Sequence, residues 1–126
     1  MKRADLTKMT VDQLVDRFAE IGVAQDGAIW DGKHAKFNRL YDQMDAVDRE
    51  LRSRGLEARL ALTRLFDHRN IQVRLQAARW SLGVAPVEAR RVIERISQSG
   101  FYPQAGDAGM TLSNLDDGIV PERYRS

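Results

Sequence analysis

The chain has 126 residues, of which 43% are apolar and 30% charged, and it contains no cysteine. These figures describe one globular domain, residues 1–126, with enough apolar surface for its own core, and they exclude disulfides, thiolate metal sites and thiol nucleophiles. Twenty basic and eighteen acidic side chains leave a net charge of +2, which by itself gives no sign of a dedicated nucleic-acid binder.

No apolar h-region follows Met1-Lys2-Arg3, so a cytoplasmic location is expected. No run approaches the roughly 18–20 apolar residues that cross a bilayer, and no membrane partner is expected. Thr10-Val11-Asp12-Gln13 fits a capping box, opening a helix with Leu14, Val15, Phe18 and Ile21 at helical spacing. Gly22 and Gly27 weaken its far end, and Asp31-Gly32 breaks it. A second helix is predicted over 33–54, with Phe37, Leu40, Tyr41, Met44, Val47 and Leu51 as its stripe. Asp45–Arg49, Asp48–Arg52 and Glu50–Arg54 are i,i+4 pairs with the acid on the favourable N-terminal side, and Gly55 stops the helix. A third helix is expected over 57–66.

Asn70 is placed to cap a fourth helix, about 71–83. Val73, Ala77, Trp80 and Val84 share one face of it, and Ile71, Leu75, Ala78 and Leu82 share the opposite one. A helix apolar on two opposite sides is packed between two layers, and Trp80 is expected in the core. Pro86 suits the first position of a fifth helix, with Ala89, Val92, Ile93 and Ile96 inward. Phe101–Gly106 reads as a loop, in which Phe101 and Tyr102 either pack or serve as a surface aromatic anchor. Asp107 then caps a short sixth helix carrying Met110, Leu112 and Leu115, stopped by Gly118. The ordered core is expected over about 10–118, with tails at 1–9 and 119–126.

Glu57-Ala58-Arg59 recurs as Glu88-Ala89-Arg90, 31 residues later, a faint internal repeat of a helix pair. The segment Asn70-Ile71-Gln72-Val73-Arg74-Leu75-Gln76-Ala77-Ala78 resembles the turn and second helix of a HEAT repeat, with Ile71 where proline is usual. In that pattern the arginine bonds within the turn, so Arg74 is expected to reach Asp67 or the Asn70 side chain. With Ala35–Met44 and Pro103–Met110, the chain resembles a small bacterial family of HEAT/ARM-repeat-like all-α proteins of unknown function. The resemblance implies an all-α, right-handed α-α superhelix of about five to six antiparallel helices, and it brings no activity with it.

Chemistry is sparse. His34 and His68 lie on different elements without metal-ligand spacing. The dipeptide Asp67-His68 reads as a turn, and a catalytic reading would require His68 and Asp107 to meet in one cleft. Gly106 and Gly109 read as a tight turn, or as a place where a backbone or ligand comes close. No catalytic, cofactor or metal residue is assigned, and the chain is expected not to be an enzyme.

Charge is distributed unevenly. Residues 49–95 carry eleven arginines, no lysine and five acids, a local net of +6 between two segments of −2. Arg59, Arg79, Arg90, Arg91 and Arg95 are the set expected to be exposed and unpaired. Trp30, beside the break, is the expected aromatic contact, for a partner or a homodimer. The expected function is a non-enzymatic interaction module that binds another protein. The alternative is nucleic-acid or acidic-partner binding through the arginine-rich middle.

Overall fold

The structure, a computed structural model, describes residues 5–125. Among them are six α-helices and three short 3-10 segments, with no strand. The protein is therefore all-α. The chain divides into two compact units, one ending at Ala61 and the other beginning at Leu62.

The first unit contains α1 (Val11–Trp30), α2 (His34–Ser53) and α3 (Leu56–Leu60). The capping box forms as the sequence predicts. The Thr10 hydroxyl accepts from the Gln13 N–H at 3.1 Å, and the Gln13 amide oxygen accepts from the Thr10 N–H at 2.9 Å. α1 runs unbroken through both glycines to Trp30. Ile21, Gly22, Gln25 and Ala28 are buried there, and that packing outweighs a propensity cost of about 1 kcal/mol per glycine. Met44, Val47 and Leu51 bury the α2 stripe, while Phe37, Leu40 and Tyr41 are half-buried or nearly so.

All three predicted pairs on α2 form, at 2.8 Å for Asp45–Arg49, 2.7 Å for Asp48–Arg52 and 2.9 Å for Glu50–Arg54. Gly55 follows the helix at φ +104°, a conformation that side-chain-bearing residues rarely adopt. Residues 5–9 correct the expected N-terminal tail. Leu6–Lys8 form a 3-10 turn capped by Asp5, and the Arg54 guanidinium donates to the carbonyls of Leu6 (3.0 Å) and Thr7 (3.3 Å). Residues 1–4 of that tail lie outside the described residues.

A 3-10 segment, Ala61–Leu65, replaces the second half of the predicted third helix. The second unit then contains α4 (Ile71–Trp80), α5 (Pro86–Ser97) and α6 (Gln104–Asp116). The Asn70 side chain accepts from the N–H groups of Gln72 (2.9 Å) and Val73 (3.2 Å). α4 ends at Trp80, earlier than predicted, and the chain continues in tighter turns, with the Ser81 and Leu82 N–H groups donating three residues back to the Ala78 and Arg79 carbonyls. Burial on α4 goes beyond its two apolar faces, since Gln72 and Gln76 are buried as well, as is Ser81 at its C-terminal cap. Trp80 is in the core. Pro86 opens α5, and Ala89, Val92, Ile93 and Ile96 are all buried.

α6 departs most from the sequence reading. It starts at Gln104 rather than after Asp107, without a side-chain cap. Gln104 and Ala105 are buried, and the Gln104 amide donates to the Gln72 side-chain oxygen at 3.0 Å. The inward residues are Ala105 and Ala108, whereas Met110 is 67% exposed. The helix starts four residues before the position that a cap at Asp107 would give it. Phe101 and Tyr102 are exposed, not packed. Within the expected C-terminal tail, Glu122–Tyr124 form a 3-10 turn, and buried Tyr124 lies edge-on to Trp80 with centroids 5.4 Å apart.

Candidate interaction surface

The five arginines separate into three situations. Arg59, on α3, is only 7% exposed, so its expected place on a surface is overturned. It lies within electrostatic reach of Asp48 on α2. Burial lowers its guanidinium pKa, and neighbouring Arg52 adds to the effect while Asp48 opposes it.

Arg79 and Arg90 are engaged rather than unpaired. Arg79 donates to the Thr111 hydroxyl (3.1 Å) and to the Asp107 carbonyl (3.3 Å), tying α4 to α6. Arg90 donates to the Asp116 carboxylate at 2.8 Å and lies 3.7 Å from Glu94. The bond to Asp116 is the main reason its guanidinium pKa is raised.

Arg91 and Arg95 remain. They stand one helical turn apart on α5, both exposed, and no described residue bonds to either. Val87, one turn before Arg91, is 57% exposed. Residues four apart share a helix face, so the structure brings together Val87, Arg91 and Arg95 as one strip. It does not bring together the five arginines proposed from sequence.

Trp30, at the end of α1 in the other unit, is 78% exposed. Val23, seven residues earlier, is exposed on the same helix face. Sequence reasoning found Trp30 through its place beside the Asp31-Gly32 break. It missed Val23, which the periodicity of α1 leaves off the buried stripe.

The remaining polar motifs have local roles. The His68 Nδ1 accepts from the Asn70 N–H at 3.0 Å, inside the turn before α4. Arg74 donates to the His68 carbonyl at 2.7 Å, and not to Asp67 or the Asn70 side chain. The Asn70 oxygen is already used in capping. A Cβ at Gly106 would sit 3.6 Å from the Tyr102 ring, and one at Gly109 would meet nothing within 4 Å. Neither glycine marks a close approach, and both lie inside α6. Among the described residues, no group of three or more His, Asp or Glu side chains is placed to hold a metal ion, and no helix is long and apolar enough to cross a membrane.

Fold and surface together define an all-α protein of two compact helical units, with exposed aromatic and arginine positions on separate helices. The chain belongs to the family described as Domain of unknown function (DUF2019), whose pattern matches residues 12–116. Among solved structures it is similar to the protein RPA1889 from Rhodopseudomonas palustris CGA009. That likeness has 48% identity and a TM-score of 0.88, and covers 92% of this chain and 96% of the other. No curated protein matches it.

Proposed function

We propose that the protein is a non-catalytic interaction module of a bacterial cytoplasm, built on a right-handed HEAT/ARM-like repeat, that docks an acidic protein segment on the exposed face of α5. The observation that carries this reading is the strip of Val87, Arg91 and Arg95, in which two guanidiniums have no bonded acid among the described residues. Guanidinium forks match carboxylates in shape as well as charge, and an adjacent apolar side chain supplies area that excludes water. The repeat reading is supported by the turn before α4, where Asn70 caps and Arg74 ties back to the His68 carbonyl.

The same observation weighs against nucleic acid. A duplex-binding surface commonly neutralises about 6–10 phosphates, and burial or internal bonding removes Arg59, Arg79 and Arg90 from such a surface. Affinity capture from the native cell, with and without nuclease, tests the reading. Capture of a protein is expected to survive nuclease and to disappear in the Arg91→Glu/Arg95→Glu variant. Loss of capture on nuclease treatment would move the surface to nucleic acid, and capture unchanged by the charge reversal would remove α5 from it.

A further inference from the structure

α1 buries one face within its unit, through Leu14, Phe18, Ile21, Gln25 and Ala28. Its opposite face carries Asp12, Asp16, Ala19, Val23, Asp26 and Trp30, spaced alternately four and three residues apart. That alternation is the seam of a coiled coil. Val23 and Trp30 on it are 47% and 78% exposed, and beside them Gly27 has open space above its backbone.

Charge divides this part of the unit end to end. Residues 12–20 carry Asp12, Asp16 and Glu20 against Arg17, three acids and one base, a net of −2. Residues 31–39 span the turn after α1 and the first turns of α2. They carry Lys33, Lys36 and Arg39 against Asp31, three bases and one acid, a net of +2 with His34 neutral. All of these except Arg17 are exposed, and Arg17 lies 3.8 Å from Glu20. The side chains of Asp16, Lys33, Lys36 and Arg39 have no bonded partner among the described residues. Their charges are therefore not met within the unit.

We infer that the outer face of α1 is a self-association surface, on which a second copy of the chain packs antiparallel. A face with acids at one end and cations at the other is complementary to itself only when reversed. A two-fold axis across the middle of α1 makes both charged contacts at once, as an isologous interface requires. Ala19 then lies opposite the second copy's Trp30, so the largest side chain of the seam meets the smallest. Asp16 lies opposite the second copy's Lys33, and the symmetry repeats both pairs. Parallel packing would set acid against acid and cation against cation. The surface belongs to the first unit and does not rest on the docking reading given above.

Sedimentation equilibrium of the full chain and of two charge-reversed variants, Asp16→Lys/Glu20→Lys and Lys33→Glu/Lys36→Glu, tests the pairing. The four positions are exposed, and far-UV circular dichroism is expected to show unchanged helix content in both variants. The wild type is expected to dimerise. Each variant alone is expected to associate about tenfold more weakly or worse, because like charges then face each other at both ends of the interface. An equimolar mixture of the two is expected to recover the wild-type dissociation constant to within about threefold, because each reversed acid then meets a reversed cation. Trp30→Ser is expected to weaken association without any change of charge. The inference is overturned if the wild type stays monomeric, if the reversals leave association unchanged, or if the mixture associates no better than either variant alone.

Discussion

Asp48 and Arg59 carry opposite charges into the interior of the first unit. Asp48 is 2% exposed and bonded to Arg52 at 2.7 Å. Burial raises its pKa, and the Arg52 hydrogen bond and charge only partly oppose the rise. Removing one member of a buried pair leaves the other charge uncompensated, so Asp48→Ala is expected to cost about 3 kcal/mol in urea unfolding. Adding Arg59→Met should recover most of that loss. Strictly additive effects would show that the two residues are not coupled. The pH dependence follows from the same shift. The folded state holds the Asp48 proton more tightly than the unfolded chain does. This contribution to stability is therefore fully present below the ordinary aspartate pKa of about 4, and is lost as pH rises through the raised folded value. Asp48→Asn should remove that component. A wild-type minus variant stability difference that is flat across the acidic range would contradict it. The i,i+4 pairing of Asp48 with Arg52 was legible in the sequence, because it depends only on helical spacing. Arg59 was not, because its burial depends on packing between α3 and α2.

Helix ends follow local chemistry closely. Thr10, Asn70, Pro86 and Gly55 each do what their side chain or missing Cβ dictates. Asn70→Ala removes the acceptor of two N–H groups and is expected to cost about 1 kcal/mol by thermal unfolding. Helix interiors containing glycine were the least legible. α1 continues through Gly27 and α6 through Gly106 and Gly109, because buried neighbours hold those turns regardless of propensity. Space around Gly109 is open, so Gly109→Ala is expected to stabilise the protein by about 0.5–1 kcal/mol. A destabilised variant would mean that the bare backbone at this position is needed. The start of α6 was misread for a related reason. Gln104 has no capping signal in the sequence, and its place is set by a side-chain bond to Gln72, 32 residues away.

Across the whole chain, the exposed aromatic and the exposed arginines lie in different units, so each can be tested alone. The proposed homodimer through Trp30 predicts a light-scattering mass near twice the chain's 14.3 kDa. Trp30→Ser should reduce that mass to a single chain with little change in folding stability, since substitutions at exposed positions usually shift it by under about 0.5 kcal/mol. A monomeric wild type would remove the dimer. The charge asymmetry along the sequence also changes meaning in three dimensions. A local net of +6 over residues 49–95 becomes one buried arginine, several paired ones, an exposed pair on α5 and exposed Arg69 in the turn before α4.

By itself, the sequence determined the all-helical class, most helix boundaries, the inward faces of α1, α2, α4 and α5, and the i,i+4 ion pairs on α2. All of these depend on spacing within one helix or on a cap within a few residues. Tertiary structure alone decided which arginines stay available, where α6 begins, and how the terminal segment packs. Tyr124 meets Trp80 across 44 positions, and Arg90 meets Asp116 across 26. Contacts at that separation form only when the chain has folded, because no periodicity within a single element records which other element will lie opposite.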